Sequence, residues 1–414
     1  MTVLVVGNGA REHALATAIA ADPSVESVVC APGNAGTAAD FRNAPVAAED
    51  GRAVADLAAD LRAGLVVIGP EVPLVAGVAD AVRERGIACF GPSAAAARIE
   101  GSKAFAKEIM AAAGVPTARF HECDDATQVA AALDDFDPPY VIKDDALAAG
   151  KGVVVTSDRA IALAHAESCG SVVVEEFLDG PEVSLFCITD GTTVVPLLPA
   201  QDFKRLGDAD SGPNTGGMGA YCPLPWAPPT LAEDVVRDVV EPTLTELAKR
   251  GTPFSGLLYV GLALTKRGPA VIEFNARFGD PETEAVLALL ETPLACVLYA
   301  AATGRLADAP PLRWRAGSAV TVVLAAGGYP GPARSGDAIC GALRPGVFHA
   351  GTSACDGQVI SSGGRLVAVT ATGPDLAAAR DAAYRSLAEI EVDGGQFRTD
   401  IALAAVRGEV VVPT

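Results

Sequence analysis

The chain has 414 residues, of which half are hydrophobic and a fifth charged, and its 51 acidic against 31 basic side chains give a net charge of −20. This length suits two to four domains, and the composition excludes disorder as the main state. The negative charge repels a phosphate backbone and an anionic membrane alike, so we expect neither nucleic acid nor membrane as a partner.

Nine cysteines are scattered along the chain without a C-x-x-C pair, which is typical of a reduced intracellular protein. The N-terminus lacks a basic region followed by a cleavage site, and no run of about 18 residues is free of charge or glycine breaks. We therefore expect a cytoplasmic protein.

The first hundred residues alternate short apolar runs (3–6, 25–30, 65–68 and 87–90) with alanine-rich helical stretches. Strands that lose their period-2 pattern are typical of a parallel α/β sheet buried on both faces. Gly7 to His13 follow the first strand and open a helix, where backbone N–H groups favour an anion. Glu12 fills the slot of the third glycine of a dinucleotide fingerprint, which counts against NAD. NAD binding and a ligand-free turn stay open as alternatives.

Strands are expected next over residues 140–143, 152–156, 172–177, 183–189 and 257–264, as part of an α+β region with mixed sheets. Gly150-Lys151-Gly152 does not fit the Walker pattern, and a hairpin with a mobile glycine loop over phosphates fits better. Lys143 on the strand would hold an inner phosphate, with Lys151 on the loop. The alternative is a surface hairpin with two ordinary lysines.

The strand that ends in Glu175 and Glu176 can present backbone groups to a purine edge, and a carboxylate just beyond it can accept ribose hydroxyls. An edge strand with two solvated glutamates explains the pattern equally well. The stretch 202–221 is rich in glycine and poor in apolar residues, so we predict a functional loop between strands.

Residues 271–283 are the most informative stretch. Glu273 and Asn275 share one face of a predicted strand, and two oxygen ligands there suit Mg²⁺. Arg277 lies on the same side if the strand continues, where it can bind a carboxylate or phosphate. The alternative is a polar strand face on which Glu273 pairs with Arg277. From about residue 316, strands at 320–325, 347–350 and 365–372 and a helix at 375–390 predict a small closing domain.

Together these motifs resemble the glycinamide ribonucleotide synthetase family of ATP-grasp enzymes in purine biosynthesis. The likeness runs in order from Met1 to about Ile401 and is most specific at 214–221 and 277–283. We expect the single-activity form and not the fused one. Other matching stretches are 7–13, 31–37, 69–71, 91–92, 100–105, 150–153, 175–178, 326–331 and 348–352.

The resemblance implies an α/β and α+β multidomain fold. A Rossmann-like substrate domain would span 1–101, an ATP-grasp domain 102–315 with a small lid at about 117–180, and a β-rich C-terminal domain 316–414. The implied reaction joins glycine to 5-phosphoribosylamine through a glycyl phosphate and gives glycinamide ribonucleotide, ADP and phosphate. ATP and Mg²⁺ or Mn²⁺ would serve as cofactors. The partners would be small molecules only, and the protein a monomer or weak homodimer.

The resemblance also implies site residues. ATP would contact Lys103, Lys143, Gly150, Lys151, Gly152, Glu175, Glu176, Phe177, Leu178 and Glu182. Phosphoribosylamine would contact Asn8, Gly9, Arg11, Glu12 and Glu71. Asp202, Lys204, Thr215, Gly216 and Arg277 would be catalytic, and Glu273 and Asn275 would bind the metal.

The sequence departs from the family pattern in four places. Asp144 stands for Ala, Ala146 for Gly, and Phe203 for the common His, and the segment between residues 155 and 172 is short. We expect these changes to loosen ATP binding. Two rival functions stay open: another ATP-grasp ligase, and a nucleotide-sensing or dinucleotide-binding protein that has lost the ligase chemistry.

Overall fold

A computed structural model of the protein describes residues 1–145 and 152–413. The first segment carries β1 (Thr2–Gly7), α1 (Ala10–Ala20), β2 (Ser27–Pro32), α2 (Ala35–Asp40), β3 (Arg42–Asn43), α3 (Gly51–Asp60), β4 (Leu65–Ile68), α4 (Glu71–Val75), α5 (Val78–Glu84) and β5 (Cys89–Phe90).

The sheet is parallel, as predicted, and its five strands lie in the order β3-β2-β1-β4-β5, of which the sequence analysis did not predict β3. Side chains of β1 alternate between two separate cores, Leu4 and Val6 on one side and Val3 and Val5 on the other. Both faces of the sheet are therefore buried, which explains why these strands read as continuous apolar runs. The carboxyl ends of β1, β2 and β4 share one edge.

The second segment begins with two helices and continues into a small sheet. It carries α6 (Ala94–Gly101), α7 (Lys103–Ala113), β6 (Phe120–Cys123), α8 (Ala126–Asp134), β7 (Tyr140–Asp144), β8 (Val153–Thr156), α9 (Arg159–Glu167) and β9 (Val172–Glu175). The four strands are antiparallel in the order β6-β9-β7-β8. Ile142 and Val174 pack with Leu133 in a core separate from the rest of the molecule. We call this sheet with α8 and α9 the lid.

The remaining elements of the middle segment are β10 (Glu182–Thr189), β11 (Val194–Pro196), β12 (Gln201–Asp202), β13 (Arg205–Gly207), β14 (Ser211–Asn214), β15 (Gly219–Cys222), α10 (Leu231–Val235), α11 (Glu241–Lys249), β16 (Gly256–Thr265), β17 (Gly268–Asn275), α12 (Glu282–Leu289) and α13 (Leu294–Ala302). A π-helical turn, Val236–Val240, joins α10 to α11. The last segment carries β18 (Ser318–Ala325), β19 (Val347–His349), β20 (Thr352–Cys355), β21 (Gln358–Ser361), β22 (Arg365–Gly373), α14 (Leu376–Leu387) and α15 (Leu403–Val406).

Two larger sheets organise these strands. One is antiparallel in the order β11-β10-β16-β17, and the other runs β12-β15-β18-β22-β19, also antiparallel. The expectation of mixed sheets in the middle region is therefore wrong, because every ladder described there is antiparallel. The second sheet takes strands from both sides of the expected boundary at residue 315. The expected domain bounds stay a prediction.

The prediction of a single loop over residues 202–221 is wrong. The stretch is not one irregular loop, because β13 and β14 pair as a hairpin between β12 and β15. Its glycines concealed this pairing, since glycine is depleted in ordinary strands. Across the described ranges, no helix has the length and apolar character needed to cross a membrane.

Candidate active site

A cleft lies where α6, α7, the lid and β17 meet. Sequence-predicted residues from five separate stretches line it together, namely Glu71, Lys103, Lys143, Gly152, Glu175, Glu273, Asn275 and Arg277. The structure adds Ile99, Glu100, Ala106, Lys107, Met110, Val153, Ile272 and Phe274 to the lining. The cleft thus joins the expected phosphate, purine and metal positions in one place.

Glu175 lies at the centre of a buried charge cluster. Its carboxylate is 2.9 Å from the Lys143 ammonium and 3.1 Å from that of Lys107. Lys143 also donates to the carbonyl oxygen of Ile272 at 2.8 Å. Burial lowers the pKa of Lys107 to about 8, against the opposing charge of Glu175. We call these three side chains the Lys-Glu-Lys cluster.

The sequence analysis missed Lys107, although a signal existed. Lys107 follows Lys103 by one helical turn on α7, and side chains four residues apart share a helix face. The alternative of an ordinary surface hairpin does not hold for Lys143, which is 4% exposed. The edge-strand alternative is wrong as well, because β9 lies between β6 and β7.

The N-terminus of α7 is capped from the lid. Ser102 begins the helix by accepting the Phe105 N–H, and the Asp145 carboxylate accepts the N–H groups of Lys103 (2.6 Å) and Ala104 (3.0 Å). Burial lowers the pKa of Lys103, opposed by the charge of Glu273. Asp145 therefore joins the end of β7 to the helix that carries Lys103. The sequence analysis did not assign it this role.

The purine edge that the sequence predicts follows β9. Glu176 forms ion pairs with Arg119 at 2.9 Å and Arg267 at 2.8 Å. Hydrogen bonds from both guanidinium groups outweigh desolvation and lower the pKa of Glu176 to about 2. The side chain is thus fixed by two arginines, and the Glu176 N–H donates to the Arg119 carbonyl at 3.0 Å. Phe177 is 47% exposed beside it, and Leu178 follows.

Glu273 and Asn275 lie on β17, as predicted, two residues apart. Glu273 is 3.7 Å from the Lys204 ammonium, and Lys204 pairs with Glu182 at 2.7 Å. Burial alone raises the pKa of Glu273, but Lys204, Lys143 and Lys103 lower it below its ordinary value. Glu273 is therefore a carboxylate at neutral pH, as a metal ligand has to be.

Arg277 connects the cleft to the N-terminal sheet. It follows the end of β17 and pairs with Glu71 at 3.1 Å and Glu100 at 2.9 Å. The alternative pair of Arg277 with Glu273 is not formed. Burial raises the pKa of Glu71, but Arg277 and Arg11 outweigh it and the pKa falls to about 2. Glu100, which the sequence analysis missed, also accepts the Ala276 N–H at 2.7 Å.

The predicted phosphoribosylamine residues lie at the N-terminus of α1. Glu12 accepts the Gly9 N–H at 2.6 Å and pairs with Arg11 at 2.5 Å. Arg11 also donates to the Phe278 carbonyl at 3.0 Å, and Asn8 is exposed beside it. The glutamate that replaces the third glycine thus occupies part of the anion position, which weighs further against a dinucleotide.

The remaining predicted catalytic residues meet strands of the C-terminal sheet. Thr215 donates to the Lys204 carbonyl at 2.9 Å, and the Gly216 carbonyl accepts from Arg365 at 2.7 Å. Arg365 pairs in turn with Asp280 at 3.0 Å. Burial, with the charge of Glu282 nearby, raises the pKa of Asp202 well above its ordinary value. The sequence analysis missed Arg365 and Asp280, which are far apart along the chain.

We call this group beside α1, with Arg11, Asp202, Gly216, Asp280 and Arg365, the crevice. The predicted Gly150 and Lys151 lie outside the described residues. Gly152 is described, and its carbonyl accepts the Asp144 N–H at 2.8 Å. Asn214 on the 205–214 hairpin donates to the Val153 carbonyl at 3.1 Å, so the hairpin contacts the lid.

Comparison with known proteins gives consistent results over nearly the whole chain. Residues 1–100, 101–283 and 319–404 match the N domain, the ATP-grasp (A) domain and the C domain of phosphoribosylglycinamide synthetase. Phosphoribosylamine–glycine ligase of Streptomyces coelicolor is 62% identical, covering 98% of this chain and 99% of the relative. The enzyme of the same name from Mycobacterium tuberculosis is 59% identical, with full coverage of both chains.

Solved structures agree. The crystal structure of phosphoribosylamine–glycine ligase from Thermotoga maritima has a TM-score of 0.84 and 33% identity, and the match covers 97% of this chain and 100% of that one. The biotin carboxylase domain of 2-oxoglutarate carboxylase from Hydrogenobacter thermophilus, solved with MgADP, has a TM-score of 0.72, 17% identity and coverages of 96% and 91%. At that identity the likeness concerns the fold alone.

Proposed function

The chain belongs to the phosphoribosylglycinamide synthetase family, and we propose that its cleft binds ATP and its crevice binds phosphoribosylamine. It is a ligase of purine biosynthesis that joins glycine to phosphoribosylamine. One observation carries the assignment of the cleft: Lys103 and Lys143 line it together with Glu273 and Asn275, so cations for a polyphosphate and oxygen ligands for its metal ion share one space.

In the proposed ATP site, Lys103, Lys143 and Lys151 hold phosphates, with Gly150 and Gly152 flanking the last of them. Glu175, the Glu176 carbonyl, Phe177 and the Leu178 N–H receive adenine, and Glu182 receives the ribose. Support comes from the side chain of Glu176, which pairs with Arg119 and Arg267 and so does not occupy the position proposed for adenine. Glu182 is half-exposed and held by Lys204, so its carboxylate is placed where a sugar hydroxyl can reach it.

Glu273 and Asn275 fit a divalent cation. Both offer oxygen, and Glu273 is ionised, which suits Mg²⁺ or Mn²⁺ with the rest of the shell from water and phosphate. Within the described ranges, no group of three or more His, Cys, Asp or Glu side chains is arranged to hold a metal by itself. In the proposed site, the nucleotide would supply the remaining ligands of the ion. When bound, the ion would neutralise negative charge on the phosphates.

The proposed crevice contains Asn8, Gly9, Arg11, Glu12 and Glu71 for phosphoribosylamine. Asp202, Lys204, Thr215, Gly216 and Arg277 serve the reacting groups. Arg277 supports this assignment, because it lines the cleft and also pairs with Glu71.

The proposed reaction has two steps. A carboxylate oxygen of glycine attacks the γ-phosphorus of ATP, the bond to the bridging oxygen breaks, and ADP leaves. The amine nitrogen of phosphoribosylamine then attacks the carbonyl carbon of glycyl phosphate, loses a proton and expels phosphate. Lys103, Lys143 and Lys151 stabilise charge on the transferred phosphoryl group.

Phosphate release tests this function, with glycine, ATP, Mg²⁺ and freshly made phosphoribosylamine supplied to the protein. Release that requires all substrates, with glycinamide ribonucleotide as product, is the expected result. Another ATP-grasp ligase would need a different amine or carboxylate. A nucleotide sensor would bind ATP or NAD in isothermal titration with no response to glycine. A compact monomer or weak homodimer in the cytoplasm is part of the same proposal.

A further inference from the structure

Lys107 is a buried lysine that none of the sequence motifs uses. It lies on α7 one turn beyond Lys103, and its side chain is 2% exposed. Its ammonium is 3.1 Å from Glu175, on the carboxylate oxygen that Lys143 does not contact. Glu175 is therefore shared between two lysines, of which only Lys143 has a place in the proposed phosphate site.

Lys107 is also fixed from a third side. Its ammonium donates to the Thr117 hydroxyl at 2.8 Å, and that hydroxyl donates to the Val271 carbonyl at 2.7 Å. The Val271 N–H donates to the Pro116 carbonyl at 2.8 Å. Lys107 thus stands where the chain enters the lid and is tied to β17, the strand that carries Glu273. These contacts hold its charge beside Glu175.

The charges in this cluster create a problem that Lys107 solves. Glu175 is 3% exposed, and a buried carboxylate without a counter-charge is costly. When Lys143 turns its ammonium toward a phosphate, Glu175 loses part of that counter-charge. Without a second cation, Glu175 would hold Lys143 back and weaken phosphate binding.

We propose that Lys107 is a positioning residue that neutralises Glu175, so that Lys143 is available to the phosphates of ATP. The inference rests on the proposed function of the cleft. Lys107 acts through Glu175 and Lys143 and does not contact the nucleotide phosphates itself. Its removal should impair ATP binding and leave the crevice unchanged.

The test compares Lys107→Met, Glu175→Gln and the double variant with the wild type. Lys266→Met, at an exposed turn, serves as the matched control. Binding of ATP and of inorganic tripolyphosphate, each with Mg²⁺, is measured by titration calorimetry, and KM is measured for every substrate. Tripolyphosphate has no purine, so it reports on the lysines alone.

We expect Lys107→Met to weaken ATP and tripolyphosphate by about tenfold, which corresponds to about 1.4 kcal/mol. KM for glycine and phosphoribosylamine should not change. Adding Glu175→Gln to Lys107→Met should restore tripolyphosphate binding, because no buried carboxylate then retains Lys143. A merely structural lysine would not give this restoration.

If Lys107→Met does not fold, the comparison of Glu175→Gln with the double variant still decides, because neither leaves a buried carboxylate unpaired. Equal tripolyphosphate affinity of these two supports the proposal, and weaker binding by the double variant overturns it by showing direct phosphate contact. Unchanged ATP binding in Lys107→Met overturns it as well. A wild type that binds no ATP would overturn the proposed function of the cleft and this inference with it.

Discussion

The cleft and the crevice use positive charge in opposite ways. In the cleft, Lys107 and Lys143 share the single carboxylate of Glu175, so the Lys-Glu-Lys cluster carries one more positive than negative side chain. In the crevice and at its border, each arginine is already matched: Arg277 by Glu71 and Glu100, and Arg11 by Glu12. On the proposed function, the Lys-Glu-Lys cluster would therefore attract an anionic ligand, whereas the ion pairs of the crevice hold its arginines in place.

The chemistry of the cations follows this difference. A lysine ammonium is a compact point charge on a flexible stem that can move to a phosphate, whereas a guanidinium fixes two partners at once in a plane. Affinity for ATP should thus depend on charge in the cleft. Affinity for phosphoribosylamine should depend on the backbone conformation at the N-terminus of α1 and on the ion pairs that fix the arginines of the crevice.

The largest effect is expected from Glu273→Gln. It removes the ionised oxygen of the proposed metal pair while keeping the volume, so single-turnover ADP formation should fall by roughly a thousandfold with an unchanged melting temperature. Glu233→Gln, on the exposed face of α10, is the control. Near-normal activity at low Mg²⁺ would remove Glu273 from the metal site.

Arg277→Met tests the ion pairs of Arg277 with Glu71 and Glu100, at the border of the cleft and the crevice. It leaves Glu71 and the nearly buried Glu100 without their partner, and breaking a buried pair from one side costs about 3 kcal/mol. Urea unfolding measures this loss. Arg237→Met breaks exposed ion pairs and should leave stability unchanged. Equal stability of both variants would show that Arg277 has no such structural role.

Gly9→Val tests the shape of the crevice. A Cβ at Gly9 would lie 2.7 Å from Glu12 Oε2 and 3.4 Å from Asp280 Oδ2, so Glu12 has to move. We expect KM for phosphoribosylamine to rise by about tenfold, or about 1.4 kcal/mol, with little change in ATP affinity. Gly170→Ala, where no atom lies within 4 Å, is the control. A defect in ATP binding alone would contradict the assignment of this loop to the amine substrate.

The buried carboxyl of Glu284, near Asp280 of the crevice, should make the stability of the fold depend on pH. It is fully buried, neither carboxylate oxygen has a hydrogen-bond partner, and burial together with Asp280 raises its pKa well above the ordinary value. Folding therefore takes up a proton at Glu284. The free energy of unfolding is unaffected by this group at low pH, and it falls as the pH rises above about 4.5, where the unfolded chain releases the proton first.

Glu284→Gln removes that titration. Its melting temperature should exceed that of the wild type by a few degrees at pH 8, and the difference should shrink toward pH 4.5. Glu291→Gln, on an exposed residue, should show no such trend. A difference that does not vary with pH would mean that Glu284 is ionised in the fold.

The smallest effect is expected from Asp144→Ala in the cleft. Asp144 ends β7 and its charge acts on Lys103, so its removal should tighten ATP binding several-fold. Asp124→Ala, an exposed lid residue, is the control. We also expect the wild type to hydrolyse ATP slowly with glycine alone. Tight wild-type binding without uncoupled hydrolysis would show that Asp144 and the short segment leave closure intact.

Local patterns in the sequence determined much of the cleft. The alternation of side chains placed Glu273 and Asn275 on one face of β17, and the continuous apolar runs predicted the parallel N-terminal sheet. Both follow from rules that involve only neighbouring residues. Glycine-rich stretches also marked the chain segments that line the two regions, and the resemblance assigned them roles.

Tertiary structure alone decided which charges meet. Nothing in the sequence pairs Lys107 with Glu175, or Arg365 with Asp280, because each pair joins segments that are distant along the chain. The sheet that unites β15 with β18 was hidden for the same reason, whereas the local hairpin of β13 and β14 was concealed by its glycines. Strand pairing and buried ion pairs depend on which surfaces pack together, and a linear pattern records only which face of its own element a residue occupies.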